Sequence, residues 1–175
     1  MKIFVKNRNW IKKHLENNQM FFASANFISI YENNSYFPFP DRFNILKLCF
    51  DDVTETDYNT PDKDELVFFN KDHAIQIKNF IDSINKNRIL YIHCKAGISR
   101  SGAVGYVLNE YFNKYLKLNK IDNESFINNN KQILPNPLVV RLLKPIIFGE
   151  SDYSIIFKDI KYNEDGDELV DFKKI

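Results

Sequence analysis

Ten consecutive residues hold the most suggestive chemistry in this chain: His93-Cys94-Lys95-Ala96-Gly97-Ile98-Ser99-Arg100-Ser101-Gly102. The apolar run Ile89-Leu90-Tyr91-Ile92 stands before them and reads as a buried central strand. A helical pattern follows from about Ser101. A loop between such a strand and such a helix, with Gly97 and small neighbours, can turn its backbone N–H groups inward and form an anion nest. The helix adds free N–H groups and the positive end of its dipole. These features predict a site for a phosphate-sized oxyanion, held by the N–H groups of Lys95, Ala96, Gly97, Ile98, Ser99 and Arg100.

Cys94 falls at the lip of that nest, where positive potential favours the thiolate, the attacking form of sulfur. Arg100 lies across the loop. Its planar fork can hold two phosphoryl oxygens at once, which a Lys cannot do. Ser101 offers a hydroxyl near the sulfur and can stabilise it as a leaving group. The bland alternatives are a buried structural thiol for Cys94 and a surface helix cap for Arg100. Phosphoryl transfer from an ester also calls for a carboxylic acid that protonates the leaving oxygen and then acts as base toward water. Asp51, Asp52, Asp57, Asp62 and Asp64 are the candidates, and the ordinary fate of any one of them is a solvated loop carboxylate.

The elements that must position these residues alternate along the chain. Helical spacing of apolar residues covers Asn9 to Glu16, and Phe21 to Tyr31 reads as strand. Asn33 to Asp41 is a loop broken by Pro38 and Pro40. Asn44 to Phe50 reads as a second strand and runs into an acidic loop, Asp51 to Glu65. From about Lys71 to Asn85, Ile77, Phe80, Ile81 and Ile84 form one apolar stripe of a helix. Helices are expected over Ser101 to Leu116, over Asn123 to Leu134, and again from Pro137, where Asn136 can act as cap. Two apolar runs around Asp165-Gly166 suggest a hairpin in the segment Ser151 to Ile175. Alternating strands and helices imply an α/β fold, with a mostly parallel central sheet flanked by helices. Residues 1–150 form the expected domain and 151–175 an extension.

The chain has 175 residues, 44% of them hydrophobic, enough for one domain with a sizeable core. Its 24 basic and 23 acidic residues nearly cancel, so it lacks the positive field of a general nucleic-acid or membrane-surface binder. Two cysteines, Cys49 and Cys94, make neither a disulfide framework nor a zinc-ligand spacing. No segment reads as a signal peptide or membrane span, and the expected location is cytoplasmic. Cys49 is expected on a strand beside that of Cys94, as a core thiol rather than a redox partner.

The string Cys, five residues, Arg, Ser resembles the signature of the cysteine-dependent protein tyrosine and dual-specificity phosphatases. The form Ala96-Gly97-Ile98-Ser99-Arg100-Ser101 is especially similar to the dual-specificity branch. Leu48-Cys49-Phe50-Asp51-Asp52-Val53 and Pro135-Asn136-Pro137 resemble a group of small tyrosine-phosphatase-like proteins. The resemblance implies a phosphatase without metal or cofactor, working through a phosphocysteine on Cys94, with Arg100 holding phosphate. It gives His93 a supporting role in orienting the loop. In such enzymes the acid follows a strand in an apolar–apolar–acid–Asp pattern, which points to Asp52, with Asp51 and Asp57 as alternatives. Along the chain Asp62 and Asp64 lie at a more usual distance from the cysteine, and an insertion over Val53 to Asp62 would reconcile the two. Lys6-Asn7-Arg8 resembles part of a phosphotyrosine-recognition motif but lacks its following Tyr and is given no role.

The implied partner is a phosphorylated protein, most simply phosphotyrosine, with phosphoserine and phosphothreonine admitted by a shallow pocket; no nucleic acid or membrane partner is expected. The rival readings are an RNA 5′-end or inositol-lipid phosphatase and a phosphate-binding module without turnover. Related lipid phosphatases carry a second Lys where this chain has Ile98.

Overall fold

The computed structural model describes residues 1–17, 23–33, 35, 39, 44–54, 57, 65–118 and 121–149, with the backbone of 161–162 and 168–169. In chain order its elements are β1 (Ile3–Asn7), α1 (Arg8–Asn17), β2 (Asn26–Tyr31), β3 (Asn44–Cys49), α2 (Lys71–Ser83), β4 (Leu90–Cys94), α3 (Arg100–Asn109), α4 (Asn123–Asn129) and α5 (Pro137–Phe148). The first four strands pair in parallel in the order β1-β4-β2-β3. This is the α/β fold, with a parallel sheet flanked by helices, that the alternation of elements implies.

Side chains on each strand alternate between two faces, and each face has its own packing. Phe4, Tyr91, Phe27 and Ile45 share one row across the four strands. Tyr91 stacks with Phe4 at 5.5 Å and with Phe27 at 5.6 Å between ring centroids. Ile11 and Leu15 of α1 cover this face. Leu90, Ile92 and Cys94 belong to the larger core on the other face, with the apolar residues of α2, α3 and α5. Helix α3 is buried at every position, so its sequence has no polar stripe.

Strand β1 was not among the expected elements. It is short, with Lys2, Lys6 and Arg8 within it and on either side, yet Ile3 and Val5 are buried and the strand pairs with β4 from Ile3↔Leu90 to Asn7↔Cys94. With partners on both sides as far as His93 and β1 alone beyond it, β4 runs to Cys94, past the apolar run that ends at Ile92. Cys49 is not on a strand next to that of Cys94, because β2 lies between. Strand spacing puts their Cα atoms about 10 Å apart, beyond the roughly 7 Å Cα separation that a disulfide tolerates.

Other differences are local. The helix expected over Ser101 to Leu116 changes at Glu110 to a π-helical turn, Glu110–Tyr115. The helix expected to reach Leu134 stops at Asn129, where Asn130 turns its side-chain amide onto the Phe126 carbonyl at 2.9 Å. Asn136 caps α5 as expected, and Gly149 ends that helix in the left-handed conformation at φ 72°. In the C-terminal segment Lys161–Tyr162 pairs antiparallel with Glu168–Leu169. The apolar run Ile155-Ile156-Phe157 lies outside the described residues.

Candidate active site

The loop between β4 and α3 opens at the carboxyl end of the sheet, where open α/β folds place their ligands. Its shape follows from its outward bonds. The Lys95 carbonyl accepts from the Arg8 N–H at 3.3 Å, the Ile98 carbonyl from the Leu134 N–H at 3.2 Å, and the Ser99 carbonyl from the Asn136 and Ala103 N–H groups at 3.3 and 2.8 Å. With those carbonyls engaged outside, the Gly97 N–H turns to the Cys94 sulfur at 3.3 Å. Gly97 is at φ 73°, and a Cβ there would stand 2.6 Å from the Lys6 carbonyl carbon and the Asn7 nitrogen. The loop is therefore seated on the end of β1, and only glycine fits the seat.

Cys94 is 1% exposed and Ser101 fully buried, with 3.1 Å between Sγ and Oγ. The sulfur has an N–H and a hydroxyl on it before any substrate arrives. Arg100, 3% exposed, is held from behind: Nη1 donates to the Phe50 carbonyl at 3.0 Å and Nη2 to Glu32 Oε1 at 2.6 Å. Its Nε has no hydrogen-bond partner among the described residues. A guanidinium anchored on one edge, with donors left over on another, can receive an oxyanion without reorganising.

Of the candidate acids among the described residues, Asp52 is the one brought to the loop. Its Oδ1 accepts from Ser99 Oγ at 2.5 Å and from Asn136 Nδ2 at 3.0 Å, and its Oδ2 lies 3.7 Å from Arg100 Nε. Asp51 is used elsewhere: its carboxylate accepts from the Val67 N–H at 2.8 Å, and its own N–H donates to the Val67 carbonyl at 2.7 Å. Asp57 closes a turn onto the N–H and hydroxyl of Thr54 at 2.6 and 3.1 Å. Asp62 and Asp64 lie outside the described residues.

His93 is fully buried beneath the loop, 5.6 Å from the Phe39 ring between centroids. Burial, aided by the charge of Arg8, pushes its pKa down to about 4, so the ring is neutral at physiological pH. Phe39 packs on Phe27 and is 5% exposed, so it serves the core. Around the rim Lys95 and Ala96 are exposed, Ser99 is half-buried, and Ile98 is 39% exposed beside Leu134 at 68%.

Three contributors escaped the sequence reading. Glu32 holds Arg100, and its position just beyond the apolar run of β2 was the one available signal, since strand ends face the site. For Glu32, partial burial acts to raise the pKa. The hydrogen bonds from Arg100 and Ser35 and the charges of Arg100 and Lys95 outweigh it, and the net value falls below the ordinary carboxylate range. Asn136 was read as a helix cap only. Lys6-Asn7-Arg8, given no role, forms the seat of the Gly97 turn.

No protein-family model and no curated protein matches the sequence. Solved structures do match in fold. The crystal structure of DUSP15 superposes with a TM-score of 0.52 at 20% identity, over 89% of this chain and 87% of that one. PTPMT1 in complex with PI(5)P superposes at 0.50 with 12% identity, over 85% and 91%. The chain thus has the α/β fold of the cysteine-dependent phosphatases. Among the described residues no helix is long and apolar enough to cross a membrane, and no group of His, Cys, Asp and Glu side chains is placed to hold a metal ion.

Proposed function

We propose that this chain hydrolyses phosphomonoesters on proteins, phosphotyrosine foremost, through a phosphocysteine intermediate. One observation carries the reading: a buried cysteine sulfur with a loop N–H at 3.3 Å and a serine hydroxyl at 3.1 Å, six residues before an arginine braced by Glu32 and Phe50. In this mechanism the Cys94 thiolate attacks phosphorus. The N–H groups of residues 95–100 and the free edge of Arg100 hold the equatorial oxygens, where charge concentrates in transfer. Asp52 gives a proton to the leaving oxygen. In the second step Asp52 takes a proton from water as it attacks phosphorus, and the electron pair of the breaking P–S bond returns to Cys94. The Ser101 hydroxyl stabilises the departing sulfur.

A protein substrate is favoured over a polyanion by the local charge. The balanced chain and the carboxylates of Glu32, Asp51 and Glu65, which line a cleft of about 620 Å³ beside Arg100, oppose a strongly anionic ligand. The exposed Ile98 suits an apolar substrate surface better than a second phosphate. Phosphate release from aryl phosphate and from phosphotyrosine and phosphoserine peptides, with chelator present, tests the reading. Turnover by reduced wild type that vanishes in Cys94→Ser is the expected result. No turnover by wild type between pH 5 and 8 would leave a phosphate-binding module in its place. A strong preference for RNA 5′ ends or inositol lipids, falling steeply with salt, would replace the protein substrate.

A further inference from the structure

Asn136 joins three parts of the molecule with one buried side chain. Its Oδ1 accepts from the Val139 N–H at 3.2 Å and caps α5. Its Nδ2 donates to Asp52 Oδ1 and to the Val53 carbonyl, both at 3.0 Å. Its own N–H bonds the Ser99 carbonyl of the loop at 3.3 Å. The residue is 3% exposed. These partners also fix which way the amide points, since a flipped amide would set its oxygen against two other oxygens. A cap needs only an oxygen, and Ser, Thr or Asp would supply one. The donor half of the amide is spent wholly on the segment that carries Asp52.

We infer that Asn136 is a positioning residue for proton transfer: it clamps Asp52 Oδ1 to the phosphate loop, so that Oδ2 is the oxygen that carries the proton. The inference rests on the phosphatase reading above. Oδ1 accepts two bonds, from Ser99 Oγ and Asn136 Nδ2. Among the described residues Oδ2 has one charged neighbour, the Arg100 edge, at 3.7 Å from Nε. In the first step the Oδ2–H proton passes to the ester oxygen as its bond to phosphorus breaks and the S–P bond forms. In the second, a water proton returns to Oδ2 as the water oxygen bonds phosphorus and the sulfur leaves with the electron pair. A carboxylate free to rotate would present either oxygen at varied distance, and misplacement by about 1 Å can cost roughly 100-fold in rate.

The test uses Asn136→Ser, which keeps an oxygen for the Val139 N–H and removes the donor to Asp52. The readout is kcat/KM, which reports the first step alone and not the phosphocysteine hydrolysis common to all esters, on two esters: phenyl phosphate, whose leaving oxygen needs a proton, and p-nitrophenyl phosphate, whose leaving oxygen needs it far less. The expected result is a fall in kcat/KM on phenyl phosphate of roughly 10- to 100-fold, with a much smaller fall in kcat/KM on p-nitrophenyl phosphate. Asp52→Asn should show the same selectivity, and the double variant should be no slower than Asp52→Asn alone. Asn136→Asp also retains the cap, sets a second carboxylate against Asp52, and should lose at least as much. Equal losses on both esters, or losses that multiply in the double variant, would overturn the inference and leave Asn136 a structural cap. Should wild type turn over neither ester, the phosphatase reading itself falls, an outcome distinct from a selective failure of Asn136 alone.

Discussion

The two halves of the candidate site are built in opposite ways. The cysteine loop is contiguous from His93 to Ser101, buried at its base, and shaped by backbone bonds from Arg8 at the start of α1 and from the Leu134–Asn136 strap. The acid half is a single carboxylate on Asp52, 38% exposed, reached by side chains that lie far off in sequence, Ser99 and Asn136. The first half is held by main chain, and most of its side chains can do their chemistry only because the backbone is already in place. The carboxylate of the second is held by two side-chain hydrogen bonds, with the Arg100 Nε 3.7 Å from its other oxygen. Loss of loop geometry should therefore remove activity altogether. Loss of an acid-side contact should grade it, in a way that depends on the leaving group.

The largest effect should come from the loop side. Arg100→Lys keeps the charge but removes the planar fork, leaving Glu32 and the Phe50 carbonyl without their partners. Turnover of aryl phosphate should fall on the order of 10³-fold, with the loss the same for good and poor leaving groups. Next comes Asp52→Asn, which should lower kcat/KM on phenyl phosphate by roughly 10²- to 10³-fold and on p-nitrophenyl phosphate far less. Steady-state kinetics on the two esters separates these patterns. An Arg100→Lys loss that depended on the leaving group, or an Asp52→Asn loss that did not, would erase the contrast between the halves.

The same contrast explains what was legible in the sequence. A contiguous motif between a buried strand and a helix encodes its own backbone path, so Cys94, Gly97, Arg100 and Ser101 could be read together as one loop. Asp52 can be reached through the strand that precedes it, with Asp51 and Asp57 as alternatives that only the structure shows engaged, by Val67 and Thr54. Glu32 and Asn136 carry no local pattern of their function; their roles depend on strand order and on where α5 begins. Strand β1 was hidden because it is short: only Ile3 and Val5 of its residues are buried, and Lys2, Lys6 and Arg8 stand within it and on either side. Fold class survives such gaps because alternation over the whole chain determines it. Strand order does not, and so Cys49 was set beside Cys94 when β2 separates them.

Beneath the loop, His93 ties its stability to pH. Its folded pKa, about 4, lies below the 6.5 of a free imidazole, so the unfolded chain binds the proton first. The stabilisation is fully present above pH 6.5 and is lost as pH falls toward 4, by up to about 3 kcal/mol. Urea unfolding at pH 7.5 and 4.5 should show that fall in wild type and a shallower one in His93→Gln. Equal falls in the two proteins would mean that the ring is not held neutral by the loop above it.

The smallest effect belongs to Glu32, which lies at the end of β2 and braces the loop from outside it. Glu32→Gln retains an oxygen for Arg100 Nη2 but removes the charge, which makes the bond roughly half as strong. Arg100 keeps its bond to the Phe50 carbonyl, so KM for aryl phosphate should rise only about 3-fold, with kcat less affected. Because the Glu32 carboxyl is held below the ordinary carboxylate range by Arg100 and Ser35 against its partial burial, it stays ionised through neutral and mildly acid pH. Its contribution to stability is present above the free carboxylate value of about 4.3 and is lost as pH falls through its lower folded value. Wild type and Glu32→Gln should therefore differ in thermal midpoint by a constant amount from pH 8 to 5 and converge only in stronger acid. A difference that closed already near pH 6 would mean that Glu32 is protonated there, and that Arg100 is braced by the Phe50 carbonyl alone.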